Sequence, residues 1–126
     1  MADLLALQLA WTLVKECPPP ESVNEVLVGG EQVVCAYKTF RDTAVITNKR
    51  LLIADAQGLT GKKVEVYTIP WSSVNMWSSE NSKGLLDFNS ELEFWTKAGH
   101  FKLNLKKGID IRRLDRVIGE CILGTD

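Results

Sequence analysis

The stretch His100-Phe101-Lys102-Leu103-Asn104-Leu105-Lys106 sets apolar side chains at 101, 103 and 105 against polar ones at 102, 104 and 106. A period of two belongs to a strand with one buried and one wet face. The same short period recurs upstream and predicts strands near residues 32–38, 43–47, 51–55, 64–69, 72–79 and 91–96, seven with the one at 100–105. Thr47-Asn48-Lys49-Arg50 and Lys97-Ala98-Gly99 read as hairpin turns, and residues 56–62 as a polar, glycine-containing loop. Downstream of Gly108 the period becomes helical. Ile111, Leu114 and Ile118, continued by Cys121 or Ile122, share one face, and Asp110 stands as N-cap. Seven short strands followed by one amphipathic helix predict a mainly β chain, a bent barrel or sandwich whose open end the helix covers.

Upstream of residue 31 the sequence reads as a helical extension, residues 1–30, joined to a barrel unit, residues 31–126, within a single domain. Residues 3–16 are rich in helix formers, headed by Asp3 and stopped by Pro18-Pro19-Pro20, and a second short helix spans 21–27 before Gly29-Gly30. The first helix is apolar on most sides. Leu5, Leu9, Trp11 and Leu13 are therefore candidates for a contact between copies of the chain, with packing on the helix's own barrel as the alternative.

Composition narrows the function classes. The 126 residues are 45% hydrophobic and 25% charged, with 15 Lys plus Arg against 16 Asp plus Glu. A net charge of −1 provides no general attraction to nucleic acid or anionic lipid. Cys17, Cys35 and Cys121 are odd in number and lack metal or redox spacing, which fits a reducing cytoplasm. The apolar run at 4–14 is well short of the roughly 20 residues of a membrane-spanning helix. Asp3 before it and Lys15-Glu16 after it do not make a signal peptide.

Arg41-Asp42, the run from Thr47 to Lys63, Ile69-Pro70-Trp71, Glu80 and the run from Asp87 to Trp95 together resemble the bacterial pleckstrin-homology domain family. The resemblance implies a pleckstrin-homology-like barrel of seven strands and a C-terminal helix, and assembly into ring-shaped homo-oligomers. This chain departs from the pattern at Trp71, at Asn89 and in a turn lengthened by Ser82-Lys83-Gly84.

Catalysis finds no support in the residues. His100 is the sole histidine and adjoins a turn, no His/Cys/carboxylate cluster has metal spacing, and no cofactor is implied. Gly58-Leu59-Thr60-Gly61-Lys62-Lys63 lacks the Ser/Thr and the following helix of a phosphate-binding loop. The reading is a non-catalytic, homo-oligomeric scaffold or protein-interaction module. The alternative is an anion or lipid-headgroup site at the barrel loops, built from Lys38, Arg41, Lys49, Arg50, Lys62 and Lys63.

Overall fold

The computed structural model describes residues 7–55, 65–81 and 90–124. Each predicted strand is present within a few residues of its expected bounds: β3 (Val33–Lys38), β4 (Asp42–Thr47), β5 (Arg50–Asp55), β6 (Val66–Pro70), β7 (Val74–Glu80), β8 (Ser90–Thr96) and β9 (Gly99–Leu105). The C-terminal helix spans Ile111–Leu123. Asp110 caps it, one carboxylate oxygen accepting from the amides of Arg112 and Arg113 at 3.1 and 3.2 Å.

The helix predicted over residues 3–16 is corrected. Residues 3–6 lie outside the described residues; the rest forms two strands, β1 (Leu7–Leu13) and β2 (Lys15–Glu16). β1 runs parallel to β9, Leu9 opposite Phe101 and Leu13 opposite Leu105. One residue later the chain changes sheets: Val14 donates to the Lys38 carbonyl, and Lys15 stands opposite Lys38 in β3. Leucine-rich segments have good intrinsic helix propensity, but that preference is worth only tenths of a kcal/mol per residue. The apolar residues at 7, 9, 11 and 13 also alternate, and a strand of that pattern extends the row Phe101, Leu103 and Leu105 at the margin of β9. Pairing across the sheet overrides the local preference.

Two sheets result, β1-β9-β8-β7 and β2-β3-β4-β5-β6. The crossing at Val14 joins them at one corner. A 3₁₀ turn at Trp71–Ser73 joins β6 to β7. The main core lies between the sheets, with Leu13, Ile46, Leu51, Phe94 and Leu103 fully buried, and the C-terminal helix closes it with Ile111, Leu114 and Ile118. Trp71 is sunk in this core, donating from Nε1 to the Thr47 carbonyl at 2.8 Å; the Cys121 thiol donates to the same oxygen at 3.4 Å. Trp77 Nε1 and Ser79 Oγ both donate to the Asp115 carboxylate, at 3.0 and 2.9 Å, fixing the helix on β7.

The predicted second helix is a single turn, α1 (Glu21–Asn24). Its segment covers the outer face of the five-stranded sheet, where Val23 packs with Ala36, Val45, Leu52 and Ala54 in a second cluster. That sheet is thus apolar on both faces, which is why β4 alternates so weakly. The described part of residues 1–30 supplies strands and a cover to the barrel.

Leu13 is fully buried, so Leu13→Ala should cost about 2–5 kcal/mol, read as a lower urea midpoint at unchanged slope. Deleting residues 1–20 should abolish cooperative unfolding; a sharp transition in the truncated chain would show that β1 and β2 are dispensable.

Candidate functional site

Among the described residues the sequence-predicted cations do not converge on one site. Arg50 begins β5 beside the Thr47-Asn48 turn, and its guanidinium turns toward Glu31. Its Nε and Nη2 meet the two carboxylate oxygens at 2.8 and 3.0 Å, and Nη2 also donates to the Val26 carbonyl at 2.7 Å. Thr47 Oγ1 and the Val28 amide donate to the same carboxylate at 2.7 and 3.0 Å. Glu31 is buried, and the Arg50 hydrogen bonds, aided by those from Thr47 and Val28, outweigh its desolvation and hold its pKa at about 2. Arg50 is therefore a structural clamp between β5 and the segment leading into β3. Lys49 is exposed on the turn, and Lys62 and Lys63 lie outside the described residues.

Lys38 and Arg41 flank a turn held by Thr39, whose Oγ1 accepts from the amides of Arg41 and Asp42 at 3.2 and 2.7 Å. Both cations are exposed. Lys38 stands across from Lys15, a pairing of like charges that sheets disfavour. Nearby, Lys106 Nζ lies 5.8 Å from the centroid of the exposed Phe40 ring. A polar hollow of about 310 Å³ separates β2 from the start of the C-terminal helix, with Glu16, Tyr37 and Arg113 in its wall. Arg113 approaches Glu16 at 3.7 Å, and burial pushes the Tyr37 hydroxyl up to about 12.

Of the candidate contact residues, Leu5 lies outside the described residues. Leu13 is fully buried in its own core and is unavailable to a neighbour. Leu9 and Trp11 are half-buried, and the Trp11 ring sits 6.3 Å from Tyr67 on β6 and 6.4 Å from Phe101. Leu9 also lines an apolar groove of about 540 Å³. Its walls come from β1, β6, the start of β9 and the turns at 72–73 and 97–98. Among the described residues β1 pairs only with β9 and β6 only with β5, so the groove lies between the outermost strands of the two sheets. Sequence reasoning found β6 but read β1 as a helix, and the groove escaped it because the site depends on which strand ends up last in each sheet.

His100 lines the groove's end. Its Nδ1 is 2.8 Å from Glu93 Oε2, and its ring stacks on Trp95 with centroids 6.1 Å apart. No nucleophile joins this pair in any contact described. Burial raises the thiols of Cys17, Cys35 and Cys121, Cys35 to about 11, opposite to the shift that activates a cysteine. Among the described residues no His/Cys/Asp/Glu group is placed to hold a metal, and no helix is long and apolar enough to cross a membrane.

Two sheets joined at a corner and closed by a C-terminal amphipathic helix define the pleckstrin-homology class of fold. The solved structures agree. A DUF1696-family protein with a pleckstrin-homology domain from Shewanella loihica PV-4 is similar at a TM-score of 0.72 and 32% identity, over 86% of this chain and 96% of that one. A pleckstrin-homology domain from Shewanella amazonensis SB2B gives 0.63 and 33%, over 82% and 84%. The bacterial PH domain family model matches residues 6–122, and the chain belongs to that family. Two uncharacterised Bacillus subtilis (strain 168) proteins are related in sequence. YjqA is 44% identical over 75 residues, 60% of this chain and 59% of YjqA, so the match spans about three fifths of that relative's length. YozO is 26% identical over 98 residues, 78% of this chain and 84% of YozO.

Glu31 ties acid stability to the clamp. Its folded pKa of about 2 lies below the ordinary glutamate value of 4.5, so the unfolded chain binds the proton more readily in that interval. The stabilisation is complete above pH 4.5 and is lost as pH falls through about 2; at neutral pH it amounts to roughly 2–3 kcal/mol. Glu31→Gln should lower the urea midpoint at pH 7 and flatten the pH dependence of stability between those limits. An unchanged acid profile would disprove the assignment.

Proposed function

We propose that the protein is a cytoplasmic, non-catalytic scaffold or protein-interaction module that works as a homo-oligomer. The observation that carries this reading is the apolar groove flanked by β1 and β6, each the outermost strand of its sheet among the described residues. Such edges are templates for association, and proteins that leave them open usually cover them with another chain. The outer strand β7 adds Met76, 55% exposed, and β6 adds Tyr67, 40% exposed. A contact between unlike edges of successive copies is head-to-tail, and closes as a ring when its rotation allows. Light scattering coupled to size exclusion should give a stable multiple of 14.1 kDa across a range of concentration and salt. A clean monomer would overturn the reading.

A second reading, binding of an anionic lipid headgroup or other anion at the loops, has in its favour the facing lysines Lys15 and Lys38 with Arg41 close by in sequence. A bound anion would relieve that repulsion. On this reading Lys38→Ala with Arg41→Ala abolishes sedimentation with phosphatidylserine vesicles at low salt; equal binding by the variant removes these residues from any such site.

A further inference from the structure

We propose that the groove between β1 and β6 is a binding site for a small amphiphile, an alkyl chain carrying a single carboxylate, of the chemistry of a medium-chain fatty acid. The inference goes beyond the scaffold reading and does not depend on the state of assembly. The site is built from the core outward. Leu9 stands opposite Phe101 across β1 and β9, and both line the groove with Ile69 of β6. Phe101 belongs to the main core, and Leu9 and Ile69 pack against it. The apolar wall of the groove is therefore continuous with the core between the two sheets. A volume of about 540 Å³ falls within the range of pockets that hold small molecules, and the mouth of a barrel is one of their usual places.

Three observations select the ligand. First, Leu9, Ile69 and Phe101 offer hydrocarbon alone, so the body that covers them is apolar. Second, the polar groups left over are donors. Ser73 Oγ and Thr96 Oγ1 are committed to the carbonyls of Pro70 and Gly99, at 2.7 and 2.8 Å. The side chains of Ser72, Asn75 and Lys97, which also line the groove, have no hydrogen bond or ion pair with another described residue. A hydroxyl, an amide and an ammonium together suit a head group that accepts hydrogen bonds. Third, Lys97 is the one lysine or arginine among the described residues of the wall, and that wall contains no aspartate or glutamate. Glu93 stands outside it, with His100 Nδ1 2.8 Å from its carboxylate. One cation without a counter-charge matches a head of one negative charge. A phosphate needs several converging cations, and an ammonium head is repelled.

The test titrates the full chain with decanoate, and with decyltrimethylammonium as the same chain under the opposite charge, both below their micelle concentrations, by calorimetry. Hydrogen exchange read by mass spectrometry locates the contact. Decanoate should bind saturably and slow exchange in the peptides covering residues 67–75 and 96–101, while decyltrimethylammonium binds at least about tenfold more weakly. Lys97 and Ala98 are both exposed on the turn between β8 and β9, so substitutions there leave the core untouched. Lys97→Glu should weaken decanoate about fivefold, and Ala98→Asp, which adds a carboxylate to the wall, should weaken it by at least as much. Lys38→Ala with Arg41→Ala should leave it unchanged. Equal binding of the two amphiphiles overturns the inference, because the groove is then an apolar surface without a head-group site. So does decanoate affinity that is indifferent to Lys97→Glu and Ala98→Asp, protection confined to the peptides around Lys38 and Arg41, or the absence of saturable binding. None of these results bears on the solution mass by which the scaffold reading stands or falls.

Discussion

The structure depends on one crossing of the chain between sheets, at Val14. On one side of it Leu13 is paired with Leu105 at the end of β9; on the other Lys15 is paired with Lys38 at the end of β3. The amide of Val14 and the carbonyl of Leu13 are both used, the first bonding to Lys38 and the second to Lys106. A single residue thereby sets the angle at which two sheets meet. Everything packed between them, Phe94 stacked on Phe101 with centroids 4.7 Å apart and Trp71 tilted against Phe94, takes its spacing from that corner.

The remaining corners are closed by different chemistry. Trp71 and Cys121 both reach the Thr47 carbonyl, so the end of β4, the 3₁₀ turn and the C-terminal helix meet at one oxygen. On the outer face, Glu31 receives hydrogen bonds from Arg50, Thr47 and the Val28 amide. A buried carboxylate satisfied to this degree gives direction to a segment that has little regular structure of its own. At the corner between β1 and β6 the described contact is the Trp11 ring, 6.3 Å from that of Tyr67.

The strands from β3 to β9 were legible because their alternation is local, as in Phe101, Leu103 and Leu105, and the helix cap was legible because Asp110 precedes an amphipathic run. β1 was misread for a physical reason. Its leucines satisfy a helix and a strand alike, and the partner that decides between them, β9, lies at the other end of the sequence. The period-two sequence Leu5, Leu7, Leu9, Trp11 and Leu13 was the available signal. Arg50 was misassigned as a binding cation because Glu31 is distant in sequence and nothing local marks the two as partners. The groove was illegible altogether, since it arises from which strands are left outermost.

The parallel pairing of β1 with β9 also orders events during synthesis. β1 is synthesised before every other described strand and its partner β9 after them, so its leucines and Trp11 wait through the making of the intervening strands for the one that buries them. The hairpins β3 to β5 are sequential neighbours and need no such wait. Loop closure of that length adds only slowly to the entropic cost, but it slows folding and leaves an apolar strand open to chaperones and to other nascent chains. On a polysome, where many copies emerge side by side, the same strand is offered to neighbours before its own sheet exists.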